Sequence, residues 1–412
     1  MTTLIPSPTL PGPTLPEPLT KPSVPEVFAY AGEQIRRAAA DLWPDVPVRL
    51  AEHVPSVTSY VHRLQVGDRE LYAKVSVLGV SLVSLLLGAC GRWPDVLQAQ
   101  QDYEARADGL LVREAAQLRL LAGLGRPRMC ELAGVHRGVL FTEPVTGPSL
   151  GELLLVRPGD AAELLALPLA ELRPLRRLDV VRRLEPAGVI GERSIAGTFL
   201  RKFNGLTGTV YLDRLGAERC EPDQRQAVVE LLRPTVDRLQ RLHMTLPPTT
   251  PTTLAYGDLK PEHVVFPDGA EERPVLLDPG LLRAGTTADV AKLISRTVLF
   301  LASCQPGAAT AGQVVEGLGV LAAGQVLRLS RQARRVWLRE LLALWLIDTT
   351  NILSTYLSAP SALPLPAQGL ALVDRAEAVG TLVDAVSADL ATGADLRSVW
   401  EHALAHAQAV AS

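Results

Sequence analysis

The sequence predicts an α+β chain of two lobes, a small antiparallel sheet with one helix followed by a larger, mostly helical body. Three observations point there. Short runs of alternating apolar and polar residues crowd between Val48 and Val145. Helical periodicity dominates after Gly147. The 412 residues, 47% of them hydrophobic, supply apolar side chain for a substantial core. The divisions read from these patterns are a proline-rich arm at residues 1–25, a small lobe at 26–143 and a large lobe at 144–412.

The arm, "MTTLIPSPTLPGPTLPEPLTKPSVP", is dense with irregular prolines, which forbid a helix and favour extended or disordered chain. It has no basic segment leading into an apolar core, so it does not read as a secretory signal. "EVFAYAGEQIRRAAADLWP" then shows helical spacing. "VRLAEHV", "YVHRLQV" and "ELYAKVSV" read as three strands, the last two joined at Gly67-Asp68, a dipeptide suited to a hairpin turn. "ADGLLVREAAQLRLLAGL", Ala107 to Leu124, is amphipathic at the helical period and closes against Gly125 and Pro127. "MCELAGV" and "VLFTEPV" complete the sheet. Beyond Gly147 the helical pattern is interrupted by "LAYGDLKPEHVVF", Leu254 to Phe266, and by "PVLLDPGLL".

Several function classes fall away. A net charge of -3, with acidic and basic residues alternating along most of the chain, gives no polycationic field for a nucleic-acid backbone. Cys90, Cys130, Cys220 and Cys304 are scattered singly, without the close pairs of a zinc or redox site, and read as buried thiols of a cytoplasmic protein. "VSVLGVSLVSLLLGAC", residues 75–90, is shorter than the roughly 20 apolar residues that span a bilayer. It reads as a segment buried against its own lobe, or as a surface that docks a partner protein.

The remaining polar residues suit phosphoryl transfer, which asks for alignment and neutralised charge rather than covalent work. Lys74 lies inside the strand "LYAKVSV", where its ammonium either meets a carboxylate, with Glu114 on the following helix available, or reaches solvent at a strand edge. Asp258 can orient an acceptor hydroxyl and take its proton, and Lys260 can bring positive charge to the transferring group. Asp278 ends an apolar run as a metal ligand or as the cap of the next turn, which Gly280 tightens. "VPSVTSY" connects the first two strands without a glycine. Ser56, Thr58 and Ser59 offer hydroxyls to a phosphate there, or the segment is a plain connection.

In this order "LYAKVSV", the helical glutamate, "YGDLKPEH" and "VLLDPG" resemble the protein-kinase-like fold, in particular its aminoglycoside and macrolide phosphotransferase branch. The resemblance covers Val48 to about Arg296. It implies an ATP-dependent kinase in which Asp258 is the catalytic base, His263 and Asp278 bind Mg2+ or Mn2+, and Lys74 contacts ATP. It also implies that the backbone of Thr142 to Val145, including Glu143 and Val145, receives the adenine, and that Asp289 braces the catalytic loop. The chain departs from the usual pattern twice. Tyr256 stands where histidine is usual. His263 stands where asparagine is usual, although macrolide phosphotransferases are similar at that point. Imidazole is a weaker match than oxygen for Mg2+.

Three functions remain open at this stage. The first is a kinase for a small-molecule hydroxyl, such as that of an antibiotic or natural-product intermediate. The second is a Ser/Thr kinase for a precursor peptide, working with a partner lyase as in lanthipeptide or thioamitide-like pathways. "LKPE" favours this because it resembles Ser/Thr protein kinases. The third is a binding module without catalysis. Arg173, Arg176, Arg177, Arg182 and Arg183 read as a solvated helix face or as a hold for an acidic leader peptide. The C-terminal helices carry no dense acidic cluster of the kind a cationic aminoglycoside would need.

Overall fold

The computed structural model describes residues 21–247 and 253–412, so most of the proline-rich arm lies outside the described residues. The described part of the arm turns into a helix cap. The Ser23 hydroxyl accepts from the Glu26 N–H at 3.4 Å, and the Glu26 carboxylate accepts from the Ser23 N–H at 2.9 Å. This reciprocal pair satisfies two orphan donors. The first helix therefore runs Val24–Leu42, with Pro25 in its first turn, and the boundary expected at residue 25 moves back to Ser23.

Five strands form one antiparallel sheet in the spatial order Val48–Val54, Tyr60–Val66, Arg69–Val75, Val139–Thr142, Leu132–His136. Alternation along the third strand sorts its side chains between two helices. Leu71, Ala73 and Val75 bury against Ala31, Ile35, Ala38 and Ala39 of the first helix. Across the sheet, Leu140 packs with Leu111, Ala115 and Leu118 of the helix Leu110–Ala122. Lys74, paired with Val61 on one side and Leu140 on the other, turns to this second face.

The small lobe carries more helix than the single one expected. Leu82–Leu86 and Trp93–Glu104 fill the connection from the third strand to Leu110. The second buries only Val96 and Gln100, so it has no apolar stripe to read from sequence. Most apolar side chains of residues 75–90 turn inward. Leu82, Val83, Leu85 and Leu86 are buried in the core shared with the large lobe, and Ser84 Oγ lies 2.7 Å from the Tyr211 hydroxyl. The later strands are also shorter than expected. Arg128–Met129 leaves the sheet to pair in parallel with Val275–Leu276, and the strand begun at Val139 ends at Thr142.

The large lobe is built around the helix Arg331–Leu357, whose residues from Leu341 to Thr350 are buried without interruption. A helix apolar on every side belongs at the centre of a bundle. It packs on Thr286–Cys304, Ile195–Phe203 and Ala376–Thr392. Two short ladders set the interrupting loops on this body. Leu254–Ala255 pairs with Leu282–Arg283, and Val264–Val265 pairs with Val275–Leu276. All four cysteines are free thiols. Cys130 is buried as expected, Cys90 and Cys220 are half-buried, and Cys304 is exposed. Among the described residues no helix is long and apolar enough to cross a membrane.

Candidate active site

The loop 256–263 is held from behind by one buried carboxylate. Asp289 accepts from the Tyr256 N–H and from the Gly257 N–H, each at 3.0 Å, which is the brace expected of it. Burial raises its pKa, and the two backbone hydrogen bonds oppose that rise. Tyr256 ties the two loops together. Its hydroxyl donates to Leu277 O at 2.7 Å, and its carbonyl accepts from the Gly280 N–H at 3.0 Å. Gly257 has φ +87, and a Cβ on it would stand 2.2 Å from Gly280 O, so only glycine lets the loops approach this closely.

Between these loops and the sheet, charged groups converge. Lys74 Nζ donates to both Glu114 oxygens at 3.0 Å and lies 3.5 Å from Asp278 Oδ2. Burial works against its charge, but Asp278 and Glu114 outweigh it and hold the pKa above the ordinary lysine value. Glu114 is pushed up by burial, with Lys74 opposing. The lysine thus meets carboxylates rather than solvent. Asp278 has φ +54, a left-handed conformation tolerated by aspartate and held by the surrounding loop contacts.

Asp258, His263 and Asp278 offer ligand atoms that all lie within 4.8 Å of one another. His263 Nδ1 is buried without a hydrogen-bond partner and 3.5 Å from Asp278 Oδ2. Burial and then Lys260 push the imidazole down to about 4, so the ring is neutral at pH 7 and has a lone pair to offer. An orphaned imidazole nitrogen facing a carboxylate is a fitting donor set for a divalent cation, with Asp258 as a third possible ligand.

Asp258 has an ammonium at each oxygen, Lys260 at 3.5 Å from Oδ2 and Lys292 at 3.7 Å from Oδ1. Burial raises its pKa, but Lys260 and Lys292 outweigh that and hold the carboxylate well below its usual range. Lys292 also donates to Asp348 at 3.0 Å, and Asp348 accepts from Arg296 at 2.7 Å and from Ser295 at 2.9 Å. Sequence reasoning missed Lys292, Arg296 and Asp348. The signal was present in "LLALWLIDTTNILSTYL", where one acid interrupts an apolar run and needs a buried partner.

Other expected residues lie elsewhere or are engaged. Ser56 Oγ accepts from the Thr58 N–H at 3.3 Å and the Ser59 N–H at 3.5 Å, and Ser59 is buried. These two backbone donors therefore turn onto Ser56, and the segment is pinned to the Leu82–Leu86 helix by Val83 N–H donating to Val57 O at 3.3 Å. Glu143 pairs with Arg69 and donates its N–H to Glu131 O at 2.9 Å. Val145 packs beside Leu132 and Leu277 on the cluster that holds Cys130, whose thiol is pushed up to about 12 by burial and by Asp278. Of the arginine stretch, Arg177 is paired with Asp179 at 2.7 Å.

Neither protein-family models nor curated proteins match the chain. It is similar to solved structures. An ethanolamine kinase of Plasmodium vivax is 11% identical, with 86% of this chain and 89% of that one covered at a TM-score of 0.45. A choline kinase of Cryptosporidium parvum is 9% identical, with 88% and 96% covered at 0.44. A thermostable mutant of an aminoglycoside phosphotransferase is 12% identical, with 90% and 96% covered at 0.39. Likeness at these identities and scores leaves the functional reading to the geometry of the site.

Proposed function

We propose that the chain is an ATP-dependent phosphotransferase that moves the γ-phosphate to a hydroxyl of a small molecule. One observation carries the reading. An ammonium from the sheet lies within 3.5 Å of Asp278, which lies within 3.5 Å of an unpartnered imidazole, with Asp258 completing the cluster. A sheet lysine held by a helix glutamate is poised to meet phosphate oxygens at the junction of the two lobes. His263 and Asp278 would hold a divalent cation, Mg2+ or Mn2+, which supplies neutralising charge to those oxygens.

In this reading the acceptor oxygen bonds to the γ-phosphorus as the bond to the β,γ-bridging oxygen breaks. The electron pair leaves on ADP, and the hydroxyl proton passes to Asp258. A carboxylate flanked by two ammonium groups is a weak base, so Asp258 acts chiefly by orienting the hydroxyl and takes the proton late. Lys260 and Lys292 hold the carboxylate ionised until this transfer neutralises it. The backbone from Thr142 to Val145 forms the wall proposed for the adenine.

The test is Mg·ADP binding by titration calorimetry together with ADP release in the presence of hydroxyl acceptors. Wild type is expected to bind nucleotide and turn over. Asp258→Asn is expected to lose about 10²–10⁴-fold in kcat with nucleotide affinity retained. Unchanged turnover in that variant removes Asp258 from its role, and nucleotide binding without transfer to any acceptor points to a binding module.

A further inference from the structure

Beside Asp258 lies a recess of about 50 Å3 bordered by Gly257 and lined by Arg193, Thr198, Lys292, Asp348 and Asn351. It has room for a group of carboxylate size, and its polar side chains share the walls with Ile195, Leu282 and Ala288. Arg193 lies at its edge, anchored to the small lobe by a part-buried hydrogen bond to Gly79 O. Arg201, an exposed side chain, donates to Thr198 Oγ1 at 3.4 Å. Arg113 comes from the small lobe, next to Glu114 on its helix, and its Nε lies 3.9 Å from where a Cβ on Gly191 would be.

These three guanidinium groups come from separate segments, and their positive charge is only partly offset, by Asp108 near Arg113. Among the described residues, none of the three arginines has an ion pair within 4.0 Å, and neither does the neighbouring Glu192. Two of the nearby acids are already engaged, Asp108 with Arg106 at 2.8 Å and Asp348 with Lys292 and Arg296. The arginines also repel one another. Burial and then the charges of Arg201 and Arg113 lower the pKa of Arg193, with Tyr103 opposing. Like charges collected on a cleft wall focus a positive field there and favour an anionic ligand. Arginine suits carboxylates because its planar donors match both oxygens.

We propose that the acceptor is a molecule that carries carboxylates near its reactive hydroxyl, with Arg193, Arg201 and Arg113 holding the carboxylates while the hydroxyl faces Asp258. The proposal rests on the phosphotransferase reading and narrows it. It separates this site from one built for a polycationic acceptor, whose charge would add to the repulsion already present.

Direct binding tests it without requiring turnover. Two matched pairs of probes serve: L-malate against its diamide, and a serine peptide flanked by glutamates against the same peptide with glutamines. The acid of at least one pair is expected to bind 10-fold or more tighter than its amide twin. That advantage should fall with added salt and shrink to within about 2-fold in Arg193→Gln/Arg201→Gln. A preference seen with the peptide pair alone assigns the carboxylates to a peptide, and one seen with malate alone assigns them to a small hydroxy acid. Equal binding of acid and amide in both pairs overturns the proposal, as does an advantage that survives the double variant. Melting-temperature shifts with Mg·ADP are read in parallel. A shift in the double variant shows that its fold and nucleotide site are intact, and should the variant not fold, Arg201→Gln alone carries the same comparison. No shift in wild type would sink the phosphotransferase reading while leaving the carboxylate result standing.

Discussion

Lys74 Nζ holds both oxygens of Glu114 at 3.0 Å while standing 3.5 Å from Asp278 Oδ2. The sheet, the helix behind it and the loop from the large lobe therefore meet through one ammonium. The lysine is divided between a buried partner that positions it and a more exposed one that belongs to the proposed metal set.

Glu114→Gln upsets that division. With the buried charge gone, Asp278 is the stronger attractor and the ammonium is expected to move onto it, away from the nucleotide. The expected result is a fall of about 10-fold or more in kcat/KM for ATP, roughly 1.4 kcal/mol, with the fold retained. Steady-state kinetics with ATP varied will read it.

His263→Asn replaces a nitrogen ligand by an amide oxygen. If the unpartnered Nδ1 serves a cation, the variant is expected to keep or raise activity with Mg2+ and to lose preference for Mn2+, because magnesium favours oxygen. Turnover measured with each metal in turn will decide. Collapse with both metals in a folded variant would mean that the ring does something an amide does not.

Asp348→Asn removes a carboxylate that is 1% exposed and faces both Lys292 and Arg296. Leaving two cations without it is expected to cost about 3–5 kcal/mol in urea unfolding at pH 7. Burial raises the Asp348 pKa, but Arg296 and Lys292 outweigh it, so the folded value lies below the ordinary 3.8. The unfolded chain then takes up this proton first as pH falls. The stabilisation is full above about pH 4 and is lost as pH drops through the folded value. The variant is expected to show a shallower acid limb below pH 4 than wild type.

Gly257→Ala places a methyl 2.2 Å from Gly280 O at φ +87. Backbone strain alone is expected to cost about 1–3 kcal/mol, and relief of the clash must separate Asp258 from Asp278. Activity should therefore fall further than stability, as read by kcat against the unfolding midpoint.

The parts of the site visible in the sequence were those in which a polar residue broke an apolar pattern. Lys74 in its strand, Asp278 at the end of "VLLD" and the loop around Asp258 are each anomalous locally, and the fold brings them together. In the serine segment Ser56 draws the Thr58 and Ser59 N–H groups onto itself, a turn that spacing does not reveal. Trp93–Glu104 escaped notice because a helix that buries two residues has no stripe. The arginines at 113, 193 and 201 share no motif. Their meeting depends on tertiary placement alone, which no local pattern encodes.

The helix Val24–Leu42 has a practical consequence for handling the chain. It supplies one whole cover of the sheet, and Trp43 at its end sets its ring edge-on to Phe141 at 5.2 Å between centroids. Trimming from the front past Ser23 would strip that cover and leave Leu71, Ala73, Val75 and Phe141 wet, producing a surface prone to self-association. Shortened versions made for crystals or assays should begin ahead of Ser23.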